Sequence, residues 1–308
     1  MKKWLIGLFI LATLLLLTAY IVIPAKLTIS SITLMKANPR SAYRCLTDTT
    51  KWEKLFGNSV DKNTFQYKNT VYKVNKKLFE GIEVLMEDKN LSITSLVKIL
   101  SLNRDSSIIS WSAPIENSAN PFKKIEQYFV AHSLKNNMNS VLDNMKTFME
   151  KEENVYGINV QQTKVKDTLL VSTKTVLKNY PSVENIYSLI TVLKNYIKAN
   201  HAKETDYPML SITTSDSMNF EAKVAIPVNK LLNDSGVILQ KMMVPGKILV
   251  TEVNGGPYII TKAFNSLENF VQDHKFMSPA IPFESLVTNR LNEKDTTKWV
   301  TKIYYPIY

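Results

Sequence analysis

The residue best placed to do chemistry is Glu284, because it interrupts a repeat. Phe220-Glu-Ala-Lys223-Val-Ala-Ile-Pro227-Val228 reads like Trp299-Val-Thr-Lys302-Ile-Tyr-Tyr-Pro306-Ile307, and the spacing from Phe220 to Trp299, Lys223 to Lys302 and Pro227 to Pro306 is 79 residues in each case. The same offset brings Leu169-Leu170-Val171 onto Ile248-Leu249-Val250. Two copies are too few for a solenoid, so the repeat implies two half-domains related by a pseudo-twofold axis, with a cleft between them. Aligning Tyr207-Pro208-Met209-Leu210-Ser211-Ile212 with Ile281-Pro282-Phe283-Glu284-Ser285-Leu286 places Glu284 where the first copy has Leu210. Alternate strand residues share a face, so Glu284 lies on the face of Leu286 as Leu210 lies on that of Ile212. A carboxylate on an apolar face must be solvated at an edge, held in a structural salt bridge, or used for a ligand.

Other chemistry is sparse. His132, His201 and His274 are far apart, match no metal-ligand spacing and are expected on solvated helix faces or ends. Cys45, the only cysteine, permits no internal disulfide and reads as a small buried apolar residue. There is no Gly-x-Ser-x-Gly elbow, phosphate loop or dinucleotide fingerprint, so no cofactor or metal is expected. The formal charge is +11, yet only Arg40, Arg44, Arg104 and Arg290 are arginines and the lysines are scattered. Nucleic-acid readers rely on arginine forks, so this charge reads as a solvated surface, suited to anionic headgroups rather than nucleic acid.

The elements that position these residues fall into three segments. Lys2 and Lys3 precede an uncharged run from Trp4 to Ala25, long enough to cross a bilayer core, which takes about 20 helical residues. The run exceeds a signal-peptide core and lacks a small-x-small site, so residues 1–26 read as an uncleaved anchor. Residues 4–25 would cross the inner or cytoplasmic membrane once, with the lysines cytoplasmic and the remaining chain outside.

From 27 to 153 the expected order is a strand (Leu27–Leu34), two short helices opened by Asn38-Pro39 and reaching Trp52, a strand meander from Thr64 to Pro114, and one amphipathic helix from Pro121 to near Glu153. Polar breaks fall at Asp88-Lys89-Asn90 and Asn103-Arg104-Asp105. With Asn38-Pro39-Arg40-Ser41-Ala42-Tyr43, Leu46-Thr47-Asp48 and Trp52, this segment resembles the START-like (SRPBCC, polyketide cyclase-like) family. That resemblance implies a helix-grip antiparallel sheet, usually around an apolar cavity. Met138, Met145 and Met149 would line such a cavity or simply fill the core.

Residues 156–308 read twice as strand, helix, strand, strand. In the first copy these are Val160–Leu177 (interrupted near Lys166-Asp167), a helix capped by Ser182, Met209–Thr214 and Asn219–Val228. In the second they are Val237–Val253, Tyr258–His274, Phe283–Asn289 and Trp299–Tyr305. The turn Gly255-Gly256-Pro257-Tyr258, the strand Pro282-Phe283-Glu284, Asp295 before Trp299, the end Lys302-Ile303-Tyr304-Tyr305-Pro306-Ile307 and the strand Phe220…Ile226-Pro227-Val228 resemble the AraC-type effector-binding, or gyrase-inhibitor-like, family. The resemblance implies a central cleft for amphipathic or cationic small molecules, with Glu284 as its carboxylate and Tyr258 and Trp299 as lining aromatics. Leu286 stands where many relatives have an aromatic, and Leu210 completes the apolar wall.

The fold class expected is therefore α+β: a transmembrane helix, a helix-grip domain and a duplicated domain. The functional expectation is a membrane-anchored protein binding an amphipathic or cationic small molecule. The alternatives are a hydrolase of reactive small molecules, with Glu284 as general acid/base and Tyr258 as donor, and a ligand-free structural or envelope-stress partner.

Overall fold

The structure is a computed structural model that describes residues 2–88, 91–166, 168–215, 219–278 and 280–308; the side chains of Lys2, Lys3, Ala12, Leu15 and Ala19 are not among those described. The breaks expected at Lys89-Asn90 and Asp167 lie outside the described residues. The chain is mixed α+β with two antiparallel sheets and forms two compact units, Met1–Val155 and Tyr156–Tyr308.

The first unit begins with helix α1 (Lys2–Val22). Within its Trp4–Val22 stretch of 19 residues the mean hydropathy reaches 2.6, and none of the described residues there is buried. Strand β1 (Lys26–Met35) comes next, then helix α2 (Pro39–Thr47). Asn38 starts α2 as its sequence requires: its Oδ1 accepts from the Arg40 and Ser41 amides, and Pro39 supplies a first-turn residue with no N–H to satisfy. Helix α3 (Trp52–Phe56) leads into strands β2 (Asn58–Asp61), β3 (Thr64–Tyr67), β4 (Thr70–Leu78), β5 (Gly81–Asp88), β6 (Leu91–Ser101) and β7 (Ser107–Glu116). The sheet order is β1-β7-β6-β5-β4-β3-β2. The β2 strand was not expected: all four of its residues are exposed, so it carries no apolar alternation.

Helix α4 (Pro121–Met149) packs against this sheet through Leu134, Met138, Val141, Leu142, Met145 and Met149. It ends four residues earlier than expected. The chain turns at Glu150 and Lys151 before a separate short helix, α5 (Glu152–Tyr156). The three methionines are buried, as core residues are. Against one face of the sheet the rings of Trp52, Phe56, Phe65, Tyr72 and Trp111 pack with centroids 5.6–6.3 Å apart. Trp111 can lie there because its indole N–H donates to Ser95 Oγ at 2.9 Å.

The second unit contains β8 (Gln161–Lys164), β9 (Leu169–Leu177), α6 (Val183–Ala199), β10 (Met209–Ser215), β11 (Asn219–Pro227), β12 (Leu239–Met242), β13 (Lys247–Asn254), α7 (Pro257–Asp273), β14 (Phe283–Leu286) and β15 (Val300–Ile307). Two expectations need correction here. The segment Val160–Leu177, expected to be interrupted near Lys166-Asp167, is two strands that take different partners, and the single strand read over Val237–Val253 is also two: β8 pairs with β13, and β12 with β9. In the second case Pro245 and Gly246 break the apolar run, and proline offers no N–H to a ladder. The sheet order is β12-β9-β11-β10-β14-β15-β13-β8. Strand β14 also stops at Leu286, three residues short of Asn289.

Helix α6 is capped by Ser182, whose hydroxyl accepts from the Asn185 amide while Asn185 accepts in return. Its buried stripe, Ile186, Ile190, Leu193 and Ile197, joins Leu210, Val224, Ile226 and Leu286 in one core cluster. His132 and His201 are exposed, but His274 is half-buried against Phe270, with ring centroids 4.1 Å apart. That aromatic contact corrects the expected solvated position. Among the described residues no cluster of His, Cys, Asp or Glu could hold a metal.

Candidate ligand-binding site

The backbone brings Glu284 and Leu210 together. In the β10–β14 ladder Leu210 faces Glu284 and Met209 faces Ser285. Leu210 and Glu284 therefore point to the helix side, where Leu210 is 1% and Glu284 8% exposed. A carboxylate so buried needs a partner. Arg290, in the loop after β14, supplies it: its Nη2 donates to Glu284 Oε2 at 2.7 Å and to Thr301 Oγ1 at 2.9 Å. The guanidinium also lies over the Trp299 ring, 4.8 Å from its centroid. Arg290 is itself fixed from behind. Its amide donates to the Tyr187 hydroxyl at 2.7 Å, and that hydroxyl donates to the Thr288 carbonyl at 3.3 Å.

Trp299 is held by its own hydrogen bond, indole N–H to the Glu293 carbonyl at 2.8 Å. The preceding turn is capped by Asp295, whose Oδ1 accepts from the Thr297 amide and hydroxyl at 3.0 and 2.6 Å. Arg290 and the indole thus sit on a braced loop.

A cavity of about 390 Å³ opens beside this pair. Glu284, Arg290, Trp299 and Leu210 line it, together with Ile186 of α6 and Ile260 and Phe264 of α7. Tyr180, just before α6, is also on its wall. The Tyr180 hydroxyl is pushed above its ordinary pKa by partial burial and by the negative charge of Glu284, with Arg290 pulling the other way. The Tyr187 hydroxyl is raised chiefly by burial, against the Arg290 amide it accepts from.

Of the residues singled out from sequence, the structure gathers Glu284, Trp299 and Leu210 around one cavity. It places Tyr258 at the surface, 76% exposed and off the cavity lining, and puts Leu286 in the core cluster. Arg290 was counted among the four arginines but given no role. It lies in an irregular loop where periodicity says nothing, and the one hint was that a buried carboxylate demands a cation.

Chemically, the pair offers a carboxylate and a guanidinium side by side in an otherwise mostly apolar pocket. Such a floor can accept from a donor and donate to an acceptor on one ligand. A larger cavity, about 610 Å³, lies on the opposite sheet face around Met209, Phe283, Ser285 and Tyr304. Of the charges along it, Lys164, Lys166, Asp206 and Glu252 are exposed and Lys302 is half-buried beside Glu252, so it lacks the desolvated polar pair that marks the Glu284 cavity.

No known protein family matches the chain, and no curated protein does. Among solved structures the chain is similar to the EcmrR C-terminal domain, at 16% identity over 49% of this chain and 98% of that one, with a TM-score of 0.42. It is also similar to SAV2435 bound to tetraphenylphosphonium, at 12% identity over 49% and 94%, TM-score 0.34. A hydrolase from Listeria innocua matches at 7% identity over 48% and 92%, TM-score 0.36.

Proposed function

We propose that this chain is a membrane-anchored small-molecule binding protein whose second unit takes an amphipathic ligand into the cavity beside Glu284. The observation that carries the reading is the buried Glu284–Arg290 pair on the wall of a cavity of about 390 Å³. Cavities of about 300–1,000 Å³ with apolar walls and a few convergent polar groups are the usual form of small-molecule sites. The pair also narrows the ligand. A lone carboxylate would attract a cation, but this one already holds Arg290. A ligand bearing both a donor and an acceptor, neutral or zwitterionic, can meet both groups; a plain cation must displace the arginine.

Two further parts of the reading rest on the architecture. The order β12-β9-β11-β10-β14-β15-β13-β8 is what a duplication would give if each half lent its leading strand to the other half's edge. In that reading Leu210 and Glu284 are equivalent residues meeting at the axis. The seven-stranded sheet gripping α4 supports a START-like first unit, and the apolar α1 supports a single membrane crossing. The hydrolase reading gains nothing from the geometry, since Tyr258 is off the cavity that Glu284 lines.

The test is a binding screen of the full chain in nanodiscs against neutral, zwitterionic and cationic amphipaths, each repeated with Glu284→Gln. Zwitterionic or neutral binding that drops at least tenfold in the variant supports the site. Binding indifferent to the substitution moves the ligand elsewhere and overturns it.

A further inference from the structure

We infer that the start of α4, from Pro121 to Phe129, forms a membrane-docking surface that lies in the headgroup region of the bilayer α1 enters. The inference rests on the proposed membrane anchoring and adds a second, separate contact.

The start of α4 is tied to the end of α1. Lys124 is 5% exposed, donates from Nζ to the Tyr20 carbonyl at 3.0 Å, and stands 4.3 Å from the Tyr20 ring centroid. The link behind α1 is tied as well: Asn117 donates to the Pro24 and Ala25 carbonyls at 2.8 and 2.9 Å. The depth of α4 is thereby set by the last turn of the apolar helix, where a bilayer meets water.

At that place α4 turns aromatic rings outward. Phe122 is 67% and Phe129 68% exposed, and Tyr128 beside them is 43% exposed. Phe122 and Phe129 are seven residues apart, hence on one face and about 10 Å apart along the axis. Further along α4 Leu134, Met138, Val141, Leu142, Met145 and Met149 are buried against the sheet, whereas these rings are not core residues of this unit. Exposed lysine Lys123 neighbours them and can meet phosphates, while Glu126 lies between the two rings on the same face, where its carboxylate can pair with headgroup ammonium groups. Aromatic rings with flanking lysine at the boundary of an apolar span are what an interfacial surface needs.

Nitroxide labels at single introduced cysteines in the full chain, in phospholipid nanodiscs, test this. Cys45 is buried and need not be removed. Positions Phe9→Cys, Glu126→Cys and Thr147→Cys report the span, the docking face and a distant exposed site of α4. The expected result is a collision rate favouring oxygen over a water-soluble nickel complex at 9 and 126, and the reverse at 147. Adding Phe122→Ser and Phe129→Ser should move 126 to the nickel-accessible class while 9 stays in lipid. A lipid signal at 9 with a water signal at 126 overturns the docking surface and leaves the anchor standing. A water signal at 9 removes the anchor and the inference with it. Shielding of 126 from both reagents, with spin–spin broadening, marks a second copy as the occupant and overturns the lipid assignment.

Discussion

Leu210 and Glu284 face each other across neighbouring antiparallel strands, so one cross-strand position carries a leucine on one side and a carboxylate on the other. The leucine settles into the core. The carboxylate is tolerated only because Arg290 reaches its Oε2 at 2.7 Å.

The first prediction comes from that asymmetry. Glu284→Leu alone leaves a buried guanidinium without its counter-ion and should cost about 3–5 kcal/mol. Combining it with Arg290→Met removes both charges and should recover most of the loss. Urea unfolding of the detergent-solubilised chain measures it, and a double variant no more stable than the single one would show that the pair is not what the core tolerates.

Under the proposed function Arg290 also sets the ligand class. Arg290→Gln exposes the Glu284 carboxylate and the Trp299 face to the cavity, and under the proposed reading the affinity for a lipophilic cation should then rise about tenfold or more, each tenfold being about 1.4 kcal/mol. Titration of both proteins, with circular dichroism to verify folding, decides the matter. Equal affinities would mean that Arg290 does not compete for the cation position.

Cys45 gives a prediction for alkaline stability. Burial holds its thiol pKa up at about 11 against an ordinary 9.0, the effect of burial being offset in part by Lys51. The folded pKa is the higher one, so the folded state keeps its proton longer. The contribution is complete below pH 9 and is lost as pH climbs through 11. Between those values wild type should lose about 2–3 kcal/mol more than Cys45→Ala, at 1.36 kcal/mol per pKa unit. Parallel curves in denaturant titrations at pH 8.5 and 11 would contradict it.

Gly81 is required by close approach. A Cβ there would lie 1.9 Å from the Val97 carbonyl oxygen, in the β5–β6 ladder. Gly81→Ala must separate the two strands and should cost about 1–3 kcal/mol or more. Gly246→Ala, with nothing within 4 Å of its Cβ, is the control and should change stability by under about 0.5 kcal/mol. Thermal unfolding of both variants compares them directly.

Much of this fold is written locally. Asn38-Pro39 and Ser182 start helices because their side chains satisfy first-turn amides, and the apolar period of α6 marks the face it buries. The pentapeptide Asp-Thr-Thr-Lys-Trp occurs twice, at Asp48–Trp52 and Asp295–Trp299. Both copies form the same turn, with the aspartate Oδ1 accepting from an amide two residues on at 3.0 Å. A side chain that bonds its own backbone needs no help from the rest of the protein.

Beyond the turn the two copies diverge, and there the local sequence no longer decides. Trp52 is helical and enters α3, while Trp299 is extended and enters β15. One tryptophan donates to the Leu46 carbonyl behind it and packs edge-on against Phe65 in the aromatic core of the first unit; the other lies under Arg290. The same separation holds at the site. Sequence alone placed an unexpected carboxylate at Glu284 on an apolar strand face, because strand alternation is a property of neighbouring residues. Its partner, the exclusion of Tyr258 from the cavity, and the parting of β8 from β9 depend on which distant segments meet. Those meetings are fixed by sheet register and by the demand of a buried charge for its opposite, and neither has a period to read along the chain.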